Sequence, residues 1–481
     1  MSVPSSIRLP LFYGEASSAP TTPAAAAQVG LLIGPAETNA GLIKAITSAD
    51  QASALFGRGS GLHIMCKRAL AAYPYGTWKA IGIANSGGTP ATKTITVTTT
   101  GTTAAGTLRL WVGSDYVDVN IATNVAQNTL ATAVAAALPS VSDLPYTAAA
   151  PAANVVTATC RHKGTFGNFV RIAVDEEMPL PAGVTCVVAN GVTGQTDTAL
   201  TDTITLMGDM QADKIGCAWD STLLAAELDS RWGWQRQVFG HMFTAVAGTE
   251  ADSDRGYGTL NTLATGTISP YGHWTRFGLE SYCRAASYEV AATAAAVAML
   301  SDESDPGLKI GTLVLTGCAS AAQGYQFSAE KRNLLLYSGV ATCHDVGGYL
   351  CIDRCVTTRY QNTYGSRDES MYDAGTLWIL QYLLRDLRAV IENTYGRYRL
   401  VSDSTSTKVP PLTVTPNMMK GTLIAWYERH ARSGLVELPE VFAAGVDVVR
   451  PENDPNRLDA TLPVDCANNL EVFAPLLAFA R

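Results

Sequence analysis

The run Val29-Gly-Leu-Leu-Ile-Gly34 contains no charged residue and is too short for a stable helix. It reads as a strand buried on both faces, the kind found in the middle of a parallel sheet. Downstream, 48–55 and 62–72 have helical character, and Trp78-Lys-Ala-Ile-Gly-Ile-Ala84 gives a second strand. Strand, helix and strand in that order predict an α/β unit. The same alternation resumes at 212, with strands at 213–219 and 236–248, helices at 221–231 and 283–300, and a strand at 309–316. Ser221 is placed to cap its helix.

The composition changes between these two blocks. From 85 to 160 the charged residues are Lys93, Arg109, Asp115, Asp118 and Asp143, while Thr, Ala and Gly dominate. Period-two alternation in TITVTTT and LRLWVGSDYVDVNI predicts strands, and 124–138 an Ala-rich helix. Further strands at 155–159, 170–174 and 184–188 complete a self-contained β-rich insertion. After 340 the pattern changes again. Strands at 345–360 precede a helix at 376–393, where Leu377, Leu380, Leu384, Leu387 and Ile391 form a stripe. A second helix covers 417–432, and strand-like pieces at 446–450, 458–462 and 470–480 close the chain. No repeat of solenoid length is present.

The expected fold class is α/β and α+β multidomain. The divisions are an extended arm at 1–22, core at 23–84, the insertion at 85–208, core again at 209–340, a C-terminal domain at 341–465 and a C-terminal arm at 466–481. In the first arm Ile7, Leu9, Leu11 and Tyr13 alternate with other residues, and Pro4, Pro10 and Pro20 prevent a helix. A frayed terminus fits the prolines, but the apolar alternation favours a segment that docks.

The chain has 481 residues, of which 47% are hydrophobic and 16% charged, with net charge −8. That hydrophobic content excludes disorder, and the acidic balance argues against a nucleic-acid coat. A surface so poor in charge is expected to be buried between subunits. The longest apolar stretches, 290–300 and 472–480, fall short of the roughly 18 residues a membrane helix needs. The first twenty residues lack the basic-then-apolar pattern of an export signal. The ten cysteines therefore read as reduced packing residues in a protein made in a reducing cytoplasm. From 376 to 432, eight Lys or Arg face four acids, so the segment is +4 and the remainder −12. This is either an ordinary solvated face or a basic surface aimed at an acidic partner.

Chemistry-bearing motifs are few. Cys343-His344-Asp345 with Cys351 and Cys355 invites a zinc or a nucleophilic reading, but lacks the spacing of paired zinc ligands. Packing accounts for these residues. Gly164-Thr-Phe-Gly-Asn168 after Arg161-His-Lys163 resembles a phosphate loop, yet leads into a strand where phosphate loops open a helix. It reads as a turn. Trp232-Gly-Trp234 beside Arg231 and Arg236 reads as packing, since no basic groove accompanies it.

Five segments together resemble the tail sheath proteins of contractile bacteriophages of the phage Mu kind. They are IRLPLFYGEAS at 7–17, RHKGTFGNFVRI at 161–172, DSRWGWQRQVFGHMFTA at 229–245, the long run 357–391, and NDPNRLDATLPVDCANNLEVFAPLLAF at 453–479. The resemblance covers nearly the whole chain and is weakest in the insertion. It implies a non-catalytic virion part without cofactor, metal or direct nucleic-acid or membrane contact, assembled in the host cytoplasm. Such subunits stack as rings around a tail tube, meet baseplate and terminator proteins at the ends, and contract from a metastable state to drive the tube through the host envelope.

The resemblance also implies that the arms add strands to neighbouring subunits. The residues concerned would be Ile7, Leu9, Leu11 and Tyr13 at one end and Leu470, Val472 and Phe473 at the other. The receiving sheet would include Val446, Val448, Leu458 and Leu462. The tube-facing cations would be Lys420, Arg429 and Arg432, or Arg385 and Arg388 on the preceding helix. Alternatives are a sheath of a related bacteriocin or secretion particle, an α/β enzyme using Cys343 and His344, and an adhesin carried by the insertion.

Overall fold

The computed structural model describes residues 28–85, 87–140, 143–149, 151–231, 240–266, 271–362, 364–403 and 411–476. The N-terminal arm residues Ile7, Leu9, Leu11 and Tyr13 and the Trp232/Trp234 cluster lie outside them, as does the last part of the C-terminal arm. The described fold class is mixed α/β with several sheets.

The chain enters as β1 (Val29–Pro35), β2 (Ile43–Ile46), helices α1 (Ala49–Phe56) and α2 (Gly61–Ala72), and β3 (Thr77–Ile83). β1 pairs in parallel with β3, and β2 adds antiparallel at the edge. The insertion follows as β4 (Pro90–Thr99), β5 (Gly106–Val112), β6 (Asp115–Ile121), α3 (Gln127–Ser140), β7 (Tyr146–Ala148), β8 (Val155–Lys163), β9 (Ile172–Val174) and β10 (Val184–Asn190). It builds one sheet of order β10-β4-β8-β7 and another of order β6-β5-β9. Burial alternates along β4, as its Thr/Ile/Val sequence requires of a sheet with one covered face.

The main sheet resumes with α4 (Thr201–Met207), β11 (Lys214–Cys217), α5 (Thr222–Arg231), β12 (His241–Ala247), α6 (Tyr257–Gly266), β13 (Trp274–Leu279) and α7 (Ser287–Ser304). Its order is β13-β12-β11-β1-β3-β2. Ser221 does cap α5, its Oγ accepting the Leu224 amide at 3.1 Å. Every residue of α7 from Ser287 to Met299 is buried, so the helix is covered on all sides and sits inside the protein. Its alanines allow a very close approach to the sheet. A Cβ on Gly216 of β11 would lie 3.1 Å from the Ala292 Cα.

The insertion is not self-contained: one continuous core runs from Leu32 of β1 through Phe166 and Val184 to Met299 of α7. The Glu289 carboxylate fastens the junction. It pairs with Arg68 of α2 at 2.9 Å, and accepts from the Ser114 hydroxyl at 2.9 Å and from the Ala286 amide at the start of α7.

The remaining elements are β14 (Val314–Ala319), α8 (Ala329–Tyr337), β15 (Thr342–Val346), β16 (Tyr349–Arg354), α9 (Ala374–Tyr395), β17 (Arg399–Leu400), β18 (Thr413–Val414), α10 (Pro416–Arg432), α11 (Pro439–Gly445), β19 (Asp447–Val449) and β20 (Asp459–Thr461). The strand expected at 309–316 begins only at Val314, because Thr312 adopts a left-handed backbone (φ 70°). Helix α9 belongs to two cores. Ala374, Leu377 and Trp378 pack with β12–β16, whereas Ile379, Leu383 and Leu387 pack with α10 and α11.

Candidate intersubunit surfaces

After β20 the chain runs back along the C-terminal domain. The Glu437 amide donates to the Asp465 carbonyl at 2.9 Å, and the Ala467 amide to the Leu435 carbonyl at 3.0 Å. Lys309 Nζ then holds the Leu470 carbonyl at 3.0 Å. Beyond that tether no strand pairing is made among the described residues. Leu470, Val472, Phe473 and Leu476 are 72, 79, 80 and 94% exposed. Four large apolar side chains in seven residues face water here, an exposed apolar patch of the kind found at interaction sites. Leu476 was not singled out from sequence, although its place in the apolar run could have flagged it.

The residues expected to receive an arm lie around a two-stranded antiparallel hairpin, in which Asp447 opposes Thr461 and Val449 opposes Asp459. Val448, Leu458 and Leu462 pack partly against the core of α10 and α11, while Val446 is buried at the end of α11. Among the described residues this sheet has two strands, so both outer edges keep unpaired backbone groups that a further strand could use.

The basic residues divide by geometry. Arg385 turns inward and pairs with Asp213, leaving its side chain 11% exposed. Arg388 pairs along its own helix with Glu392 at 2.8 Å. Arg429 reaches the Asp386 carboxylate, which also accepts from the Trp426 indole at 2.7 Å and from His430 Nε2 at 2.9 Å. Burial alone would raise the Asp386 pKa, but the bonds from His430 and Trp426 and the Arg429 charge hold it below the usual carboxylate range. Arg432 stands 81% exposed at 3.5 Å from Glu428, and Lys420 is half-buried. Lys408 lies outside the described residues.

The other motifs are absorbed by structure. Cys343 is buried, and burial pushes its thiol well above the usual range, so it carries no thiolate to attack with. His344, next along β15, bonds Asp353 at 2.7 Å, and neighbours on a strand face opposite ways. The two residues therefore do not form a nucleophile–base pair. Among the described residues no group of three or more His, Cys, Asp or Glu could hold a metal.

Residues 165–169 form a 3₁₀ turn whose Thr165 amide and hydroxyl bind Asp197 at 2.7 and 2.6 Å. The chain's own carboxylate thus takes the place a phosphate would need. Phe166 from this turn is buried near Tyr288, Trp219 and the start of α2, at the carboxyl ends of β1 and β11. That is where the strand order reverses and an open α/β sheet would bind a ligand. Here the insertion fills it.

A buried charge cluster was missed from sequence. Lys214 of β11 is fully buried, pairs with Asp302 of α7 at 2.6 Å and lies 4.3 Å from the Trp378 ring centre. Burial lowers its pKa, and the Asp302 charge opposes that shift. Adjacent Asp-Lys opening a strand was the available signal.

No protein-family model matches the chain. It is 26% identical, over 99% of its length and 98% of the other's, to a Mu-like prophage FluMu tail sheath protein of Haemophilus influenzae. Solved structures of similar outline include a sheath tail protein of Desulfitobacterium hafniense, at TM-score 0.49 and 10% identity, covering 95% of this chain and 97% of that one. Another is the anti-feeding prophage helical sheath in its contracted state, at TM-score 0.44 and 11% identity, with 99% of each chain covered.

Proposed function

We propose that this chain is the repeating subunit of a contractile tail sheath, stacked as rings around a tail tube and contracting to drive the tube through a host envelope. The observation that carries the reading is similarity to a tail sheath protein at 26% identity over 99% of this chain and 98% of the other. The exposed apolar stretch 470–476 and the two-edged hairpin supply what a connected lattice needs, a segment to give and an edge to receive it. Residues 1–14, with Ile7, Leu9, Leu11 and Tyr13, would make the second connection. The role is structural, with other copies, the tube, the baseplate and the terminator as partners and the virion tail as its place. Electron microscopy of the purified full chain tests this directly. Rings or tubes are expected at high concentration, and a protein that stays monomeric under every assembly condition refutes the proposal.

The geometry sharpens which cations should face the tube. Arg429 is spent on Asp386 and Arg385 on Asp213, so reversing either disturbs the fold as well as any interface. Arg432 and Lys420 are the cleaner probes. Arg432→Glu with Lys420→Glu should leave the melting temperature near that of the parent and weaken co-sedimentation with tubes, more so at low salt. Each exposed pair is worth about 0–1 kcal/mol, so the effect per subunit is small and accumulates along the sheath. Tube binding unchanged at low salt removes α10 from that interface.

A further inference from the structure

We propose that a buried chain of polar and ring contacts couples the root of the N-terminal arm to the C-terminal hairpin, so that the segment a subunit extends and the surface on which it receives one move together. The proposal rests on the arm reading above for its meaning, though not for its test.

The chain of contacts has four links. Gln28, the first residue the structure describes and six positions beyond the expected end of the arm, donates its side-chain amide to Asp302 at 2.7 Å, and the Val29 amide donates to Asp213 Oδ2 at 2.6 Å. Asp213 Oδ1 also accepts from Gln381 at 3.1 Å and from Arg385, so one carboxylate holds both the arm root and helix α9. On the same helix, Asp386 binds Trp426, Arg429 and His430 of α10 through its Oδ2. Tyr427, beside Trp426, stacks on Phe442 of α11 at 3.8 Å between ring centres and donates its hydroxyl to the Glu437 carbonyl at 2.8 Å. Helix α11 ends at Gly445, and its cap residue Val446 leads directly into β19.

Two features make this a stiff connection. The side chains of Asp213, Lys214 and Asp302 are 1, 0 and 1% exposed, so water does not substitute for a broken partner. The first node is also charge-balanced, Lys214 and Arg385 against Asp213 and Asp302. Charge-assisted bonds at such a site have one good geometry, whereas apolar contacts can slide. Helix α9 carries the link between domains as a single 22-residue rod.

Hydrogen exchange on the full chain tests the coupling in isolated subunits. Trp426→Phe removes one donor to Asp386 and replaces the buried indole by a smaller phenyl ring. It should speed exchange at the β19–β20 hairpin and also at the Val29 amide, by roughly tenfold or more at each, with β4 and β8 unchanged. Arg385→Gln should reproduce both effects from the other side. Faster exchange confined to the mutated end overturns the proposal, as does a uniform rise throughout the chain. As a second measurement, Gln28→Ala and Trp426→Phe form a double-mutant cycle. Distant sites ordinarily add, so additivity within about twofold in the unfolding equilibrium rejects the coupling. Failure of the arm reading would show differently, as normal tubes from subunits lacking residues 1–14.

Discussion

Subunits carrying Leu470→Asp, Val472→Asp and Phe473→Ser are expected to fold normally and to form no tubes. The three side chains are 72–80% exposed, so the isolated chain gains almost nothing from them. Substitutions at such positions usually change stability by less than 0.5 kcal/mol, which in a protein this size moves the melting temperature by about 2 °C or less. In an assembly the outcome reverses. Docking each residue against a neighbour would bury apolar area worth about 1.5–3 kcal/mol, and two aspartates would enter the same place unpaired. Thermal denaturation and electron microscopy on one preparation separate the two effects. Tubes of normal length and yield from the triple variant would show that the segment connects nothing. A large fall in melting temperature would show instead that these side chains serve their own subunit.

The second large effect lies in the interior. Lys214→Met should cost about 3–5 kcal/mol, because Asp302 is left charged and buried with its cation gone. Asp302→Leu alone should cost a similar amount for the complementary reason. Made together, the two substitutions should recover most of the loss, since an apolar pair of similar volume can replace a buried ion pair at little net cost. Urea denaturation of the two single variants and the double variant measures this as shifts in midpoint at constant slope. Additive losses in the double variant would mean that the pair does not act as a unit. Gln28 donates to Asp302 and Lys214 donates to the Gln381 side-chain oxygen, so some loss should persist even in the best double variant.

These two sites also show what the sequence could and could not reveal. Periodicity finds elements wherever a side chain's burial depends on its own strand or helix. VGLLIG, WKAIGIA and DKIG became β1, β3 and β11, mutually parallel strands of one sheet, for that reason. The stripe of α9 was legible only in part. Leu377 is buried, but Leu380, Leu384, Leu387 and Ile391 are half-buried, while Trp378, Ile379 and Leu383 go fully inside. A helix shared by two cores buries more than one stripe, and a single-stripe reading misses the rest.

Charge was the least legible property. Arg385 and Arg429 count as basic residues in any sum, yet both are engaged by carboxylates, Asp213 lying 172 residues from Arg385 in sequence. Only tertiary structure brings such partners together. The C-terminal segment gave the opposite case. Its apolar alternation reads as a strand, and among the described residues it has no partner strand in its own chain.

Helix α7 has one more consequence. Six of the thirteen residues from Ser287 to Met299 are alanines, which have no side-chain rotamers to rearrange. Few alternative packings are open to such a centre, so the elements that pack on it, from the main sheet to the insertion, are held in one arrangement.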